Sequence, residues 1–106
     1  MKVIITENKL ERILIRYLQE VEKIDFEPTK NGRYLEYRDY NGDLVMEIDT
    51  WFPNSTDCKL KYDLYIKMYR FLNLEASQYH DLLTSVINKI TGIEVETLVP
   101  SIGYTN

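Results

Sequence analysis

The segment RYLEYRDYNGDLVMEIDT, residues 33–50, carries the strongest structural signal in the chain. Asn41-Gly42 separates two runs of strand-forming residues, and this dipeptide is typical of a two-residue type I′ turn. The turn predicts an antiparallel hairpin in which Tyr40 faces Asp43. A slip of one residue would turn the apolar side chains to solvent. We therefore expect one face of the hairpin to join the core: Leu35, Tyr37, Leu44, Met46 and Ile48.

The opposite face of the predicted hairpin is polar and supplies the candidate partner-binding residues. Exposed tyrosines are enriched in protein interfaces, because their large rings lose little side-chain entropy when they are immobilised. Glu36 and Glu47 are directly opposed in this register, which lowers stability, and we expect Arg38, diagonal to Glu47, to reduce the repulsion. The predicted binding surface consists of Tyr34, Glu36, Tyr40, Asp43, Glu47 and Asp49.

Amphipathic patterns on both sides of the hairpin predict three helices. Apolar residues at spacings of three and four, up to Val21, predict a helix over 7–23 with Thr6 as its N-cap. The same period predicts a short helix over 63–72, for which a strand running to residue 66 is the alternative. A long third helix is expected over 75–91, ended by Gly92.

Short runs with strand character complete the predicted fold. They cover residues 3–5, 58–62 and 93–97, and Pro100 is expected to end the last strand. The order β-α-β-β-β-α-α-β predicts a single α+β domain over 1–106, in which a small, mostly antiparallel sheet packs against the two main helices. Residues 101–106 have the composition of a polar tail. A helix pair with a protruding hairpin is the alternative architecture.

The charge of the chain is unevenly distributed. Thirteen basic and 17 acidic residues give a net charge of −4 over 106 residues, the size of one domain. Residues 31–57 hold two basic and six acidic side chains, whereas residues 58–73 hold four basic and one acidic. Binding to nucleic acid requires a basic field and is not expected. The dipolar pattern favours electrostatic complementarity with a protein partner.

Two further tyrosines indicate a secondary surface. Tyr65 and Tyr69 lie four residues apart on the short helix, off its apolar stripe, and we expect them to be exposed. Together with Ile15 they would form the interface of a homo-oligomer.

Catalytic signatures are absent from the sequence. It contains no Gly-rich phosphate loop, no Cys-x-x-Cys and no Gly-x-Ser-x-Gly. A zinc site would have to add carboxylates to Cys58 and His80, an uncommon ligand set, so neither a metal nor a cofactor is expected. The hairpin carboxylates with Lys59 and Lys61 leave a metal-dependent nucleic-acid enzyme as an alternative, although no lysine follows Asp49.

The opening residues Val3-Ile4-Ile5-Thr6-Glu7-Asn8-Lys9-Leu10-Glu11-Arg12-Ile13-Leu14 resemble the start of many small proteins of tailed bacteriophages and related marine or Bacteroidetes sequences. The shared features are a short apolar strand, Thr-Glu, and a helix with Leu-x-Arg-Ile. Asn8 stands where these proteins often have Ser. The resemblance covers residues 1–20, implies an origin in a phage or mobile element, and supplies no catalytic residues.

These features together predict a non-enzymatic, phage-type protein-binding module that acts by stoichiometric occlusion of a host or phage protein. An inhibitor of a host protein, such as an anti-CRISPR or other anti-defence protein, is the function that the resemblance implies. The alternatives are a structural or self-assembling phage accessory or virion protein, and a metal-dependent nucleic-acid enzyme.

The expected location is the cytoplasm, which is that of the host cell if a phage encodes the protein. A single cysteine, Cys58, cannot form an internal disulfide. The apolar run before Thr6 has three residues and is too short for a signal peptide. No stretch approaches the roughly 20 apolar residues that span a bilayer, so no membrane contact is expected.

Overall fold

The computed structural model describes residues 7–50 and 56–104, with side chains from residue 9 onward. It is an α+β fold, as predicted, with one five-stranded sheet in the order β1-β2-β3-β4-β5. The strand predicted at residues 3–5 and the Thr6 cap lie outside the described residues. In chain order the elements are α1 (Glu7–Glu20), β1 (Thr29–Asn31), β2 (Tyr34–Arg38), β3 (Leu44–Asp49), β4 (Asp57–Lys61), α2 (Tyr62–Leu72), α3 (Ala76–Thr91) and β5 (Thr97–Ile102).

The core lies between one face of the sheet and the helices. Neighbouring strands are antiparallel, except that β5 runs parallel to β4. Apolar side chains at alternate strand positions meet the apolar stripes of the helices, as the period-2 and period-3.6 patterns require. The sheet contributes Tyr37, Met46, Ile48, Cys58, Leu60 and Leu98, and the helices contribute Leu14, Leu18, Leu64, Met68, Tyr79, Leu82, Leu83, Val86 and Ile87.

Helix α1 ends three residues earlier than its apolar pattern predicts. The backbone N–H groups of Val21 and Glu22 both donate to the Tyr17 carbonyl, and Lys23 takes a left-handed φ of 53° that turns the chain out of the helix. Val21, expected on the buried stripe, is therefore 63% exposed.

The chain after β4 is helical, so the alternative strand to residue 66 is wrong. Asn73 ends α2 with a left-handed φ of 52°, and Gly92 ends α3 with a φ of 71°, as predicted. Phe71, expected on the apolar stripe of α2, is 56% exposed and stacks on Tyr17 with ring centroids 5.1 Å apart.

The predicted hairpin register holds over most of its length but not at the turn. Pairs from Tyr34–Asp49 to Tyr37–Met46 match the prediction, and the register then shifts so that Arg38 faces Leu44. The shift leaves an extra residue in β3, a β-bulge. Val45, expected on the polar face, is therefore buried in the core.

The predicted two-residue type I′ turn is wrong. The Asp39 N–H donates to the Asp43 carbonyl, so the loop has three residues, and of these Gly42 takes a positive φ of 85° while Asn41 does not. The Asp39 carboxylate explains the difference, because Oδ1 accepts hydrogen bonds from the backbone N–H groups of Asn41 (2.9 Å) and Asp43 (3.0 Å). This Asx-type arrangement stabilises a type I turn followed by a left-handed residue.

Both edge strands differ from the prediction. β1 occupies residues expected to form a loop, and β5 begins where the predicted strand 93–97 ends. Pro100 lies within β5 and is tolerated there because an edge strand has one unpaired side. Ser101 and Ile102, assigned to a polar tail, belong to this strand. The sheet therefore contains a strand, β1, that was not predicted, and the helix pair with a protruding hairpin is excluded.

Candidate partner-binding face

Within residues 7–50 and 56–104, no helix covers one of the two faces of the sheet. Buried strand residues alternate with exposed or half-buried ones, except at the bulge, where Val45 and Met46 are both buried. This second face, here called the open face, includes Tyr34, Glu36, Arg38, Glu47, Asp49, Asp57, Lys59 and Val99.

Two cross-strand rows on the open face contain carboxylates in direct opposition. In one row Glu36 faces Glu47, as predicted from the hairpin register, and Lys59 lies on the far side of Glu47. In the adjacent row Asp49 faces Asp57. Directly opposed side chains have Cβ atoms roughly 4.5–5.5 Å apart, and like charges at that spacing are destabilising. The centre of the open face therefore holds two unfavourable pairs side by side.

Two arginines offset part of this repulsion. Arg38 Nη2 lies 3.3 Å from Glu36 Oε1, and Arg33 Nη2 lies 3.4 Å from Asp49 Oδ2. Arg38 thus pairs with Glu36 on its own strand rather than with Glu47, because residues two apart project from the same face. Among the described residues, neither Glu47 nor Asp57 forms an ion pair.

Tyr34 contacts the Arg33 side chain at the margin of the open face. The Arg33 guanidinium carbon lies 4.9 Å from the centroid of the Tyr34 ring, and Arg33 Nη2 donates to the Tyr34 hydroxyl at 2.7 Å. A half-buried aromatic ring that makes a cation–π contact offers contact area to a partner and loses little side-chain conformational entropy on binding.

The structure separates the six predicted binding residues into two groups. Tyr34, Glu36, Glu47 and Asp49 share the open face, whereas Tyr40 and Asp43 belong to the hairpin loop beyond the register shift. Tyr40 is 85% exposed. Asp57 was not predicted, although the alternation of Asp57 to Lys61 places it on the same side of its strand as Lys59.

The expected exposure of Tyr65 and Tyr69 is wrong. Both rings are half-buried and pack edge-on against Tyr79, with centroids 5.0 Å apart in each case. The Tyr79 hydroxyl also donates to the Tyr65 carbonyl at 2.6 Å. Burial raises the pKa of Tyr65 and of Tyr79. Ile15 is half-buried and borders a shallow groove with Arg12 and Lys89.

The remaining candidate groups are the thiol of Cys58, the imidazole of His80 and the side chains that could hold a metal ion. Burial raises the pKa of the Cys58 thiol to about 12, so it carries almost no thiolate at neutral pH. His80 is exposed on α3. Within residues 7–50 and 56–104, no three His, Cys, Asp or Glu side chains are placed to hold a metal ion. In the same ranges no helix is long and apolar enough to cross a membrane.

No protein-family model matches the chain, and neither a curated protein nor a solved structure was found to match it. Function is therefore inferred from the geometry of the chain itself.

Proposed function

We propose that this protein is a non-enzymatic binding module whose open face contacts a basic surface of a partner protein. The observation that carries the proposal is the adjacency of two directly opposed carboxylate pairs, Glu36–Glu47 and Asp49–Asp57, on a sheet face without a helix. Like charges in register lower the stability of the free protein. Such an arrangement is favourable once a partner supplies cations.

The open-face carboxylates that do not pair with an arginine are the proposed contacts for the partner. Glu36 and Asp49 already pair with arginines, whereas Glu47 and Asp57 form no ion pair among the described residues and would receive the partner's Lys or Arg side chains. Complementary charge speeds encounter and selects the partner. Tyr34, in contact with Arg33, supplies an aromatic contact beside them.

The proposed mode of action is occlusion of the partner's surface. A rigid sheet face that covers a basic surface acts by occlusion, one copy for each partner site. The resemblance of the opening segment to small phage proteins supports an inhibitor of a host protein, of the anti-CRISPR or other anti-defence kind, as the biological setting.

The proposal is tested by affinity capture from a bacterial host lysate, with the immobilised wild-type protein compared with the double variant Glu47→Gln/Asp57→Asn. A matched control, Glu75→Gln/Asp81→Asn, removes two exposed carboxylates from the helical side of the molecule. We expect a protein captured at one-to-one stoichiometry by the wild type and the control, released by salt, and lost from the open-face variant. Equal capture by all three proteins would overturn the assignment.

A further inference from the structure

The hairpin loop and the start of α2 lie at the same end of the sheet. β3 begins directly after the loop, and β4 runs antiparallel to β3, so Lys61 at the end of β4 returns to the loop end. α2 begins at the next residue, Tyr62. β5 is parallel to β4 and also ends here, where Tyr104 packs edge-on against Tyr62 with centroids 4.9 Å apart.

A short segment between α1 and β1 joins these two features. Ile24 forms an isolated β-bridge with Asp39, and the Asp25 N–H donates to the Arg38 carbonyl at 3.0 Å. In the same segment, Glu22 Oε1 lies 3.8 Å from Lys67 Nζ of α2. The hairpin loop and the outer side of α2 therefore flank the same stretch of backbone.

The loop forms the acidic half of this end. Tyr40 projects with 85% of its surface exposed, and Asp43 is exposed beside it. The Asp39 carboxylate is occupied by the loop N–H groups, whereas Asp43 has no ion pair among residues 7–50 and 56–104.

The outer side of α2 forms the basic half. A shallow cleft of about 430 Å³ is lined by Tyr62, Asp63, Ile66, Lys67 and Arg70. Arg70 is exposed and has no ion-pair partner in the part of the chain that the structure describes. The cleft also holds Asp63, and Lys67 is paired with Glu22, so Arg70 is the cation that remains for an incoming carboxylate. Tyr62 and Ile66 provide the apolar wall for a tyrosine ring.

We infer that this end of the molecule binds a second copy of the chain in a two-fold symmetric dimer, with Tyr40 of each copy in the α2 cleft of the other and Asp43 paired with Arg70. Opposite charges carried on one end of the molecule can pair across a two-fold axis, and both contacts then form in a closed dimer. The open face takes no part in this interface. The inference is independent of the proposed function and would give the dimer two partner-binding faces.

The test uses charge reversal and mass measurement by light scattering over a protein concentration series at low ionic strength. The wild type is expected to form a dimer that salt weakens. Asp43→Arg and Arg70→Asp should each be monomeric at concentrations where the wild type is dimeric, because each variant places like charges at both contacts. An equimolar mixture of the two variants should restore the dimer, since both contacts again join Arg to Asp.

Other outcomes overturn the inference. The inference is wrong if the wild type stays monomeric across the concentration series. It is also wrong if the single variants still dimerise or if their mixture stays monomeric. Assemblies that grow beyond two copies would exclude the two-fold arrangement. Asp81→Arg on α3 is the control for the added arginine, and circular dichroism reports whether each variant folds.

Discussion

Glu11 of α1 and Lys89 of α3 form an ion pair in which the carboxylate is buried and the ammonium group remains accessible. The Lys89 side chain is 54% exposed, whereas that of Glu11 is 6% exposed. Glu11 Oε1 also accepts a hydrogen bond from the Ser85 hydroxyl at 2.8 Å. The hydrogen bond from Lys89, followed by that from Ser85, holds the pKa of Glu11 below its usual 4.5. The two main helices are thus joined by a polar contact as well as by their apolar stripes.

Replacement of Glu11 by Ala is expected to lower the free energy of unfolding by roughly 1–3 kcal/mol, because hydrogen bonds to a buried charged group are lost. Urea denaturation followed by circular dichroism measures the change. Glu20→Ala is the control, since the Arg16–Glu20 pair of the same helix is exposed and has an N–O distance of 3.7 Å. Exposed pairs of this kind contribute about 0–1 kcal/mol. A loss for Glu11→Ala no larger than for Glu20→Ala would contradict the assigned contact.

The Glu11 contact should also depend on pH. A carboxyl group whose pKa is lower in the folded state stabilises the fold above its unfolded pKa and loses that contribution as the pH falls through the folded pKa. The difference in unfolding free energy between the wild type and Glu11→Ala should be complete at neutral pH and shrink below about pH 4.5. An undiminished difference in acid would show that the ion pair is not its source.

The Glu11 contact could not be predicted from the periodicity of apolar residues. The spacing of apolar residues located α1 and its buried stripe, but Glu11 is not apolar and the same pattern gives no reason to expect it to be buried. The partners of Glu11 lie 74 and 78 residues further along the chain, so no local pattern could reveal them. The only local signal was the position of Glu11 between Leu10 and Leu14 at the border of the stripe.

The three-residue hairpin loop predicts unequal effects for substitutions at Asn41 and Gly42. Gly42→Ala should lower the unfolding free energy by about 1 kcal/mol, because a φ of 85° is strained for any residue with a Cβ. Asn41→Ala should change it by less than about 0.5 kcal/mol, since the φ of Asn41 is not positive. A two-residue type I′ turn would make both substitutions costly, so equal losses in thermal or urea unfolding would contradict the observed loop.

Asp39 should contribute more to the loop than Asn41 does. Its carboxylate accepts two backbone hydrogen bonds, and Asp39→Ala removes both. We expect a loss of about 1–2 kcal/mol, comparable to the removal of a helix-capping side chain. Glu27→Ala serves as the control because the exposed Glu27 carboxylate makes no hydrogen bond or ion pair among the described residues. Equal losses for the two variants in urea unfolding would show that the carboxylate of Asp39 does not hold the turn.

Local sequence patterns predicted some of the strand pairings in the sheet but not others. Alternation and the turn dipeptide predicted the pairing of β2 with β3, including the opposition of Glu36 to Glu47. They did not predict the register shift, because Asn41-Gly42 suits two loops and the side chain of Asp39 selects between them. The parallel pairing of β5 with β4 joins segments about 40 residues apart, and strand patterns alone do not specify such a pairing.

Cys58 is expected to be almost unreactive in the folded protein. Its side chain is fully buried, and burial raises its pKa to about 12. Because the thiolate is the reactive form, labelling with a thiol-specific disulfide reagent at pH 8 should be far slower than in urea. The unfolded chain is the control, and equal labelling rates in the two conditions would place Cys58 at the surface.

The open face should show that binding and stability can be separated. Glu47→Gln removes the repulsion from Glu36 and also the attraction to Lys59, so the unfolding free energy should change by less than about 1 kcal/mol. Lys59→Gln should lower the unfolding free energy, because it removes the cation that faces Glu47. If the proposed function is correct, Glu47→Gln weakens partner capture with little change in stability, as expected for a residue kept for binding. Urea unfolding and capture of the same variant decide the point. A variant that loses both stability and capture would show that Glu47 supports the sheet rather than the interface.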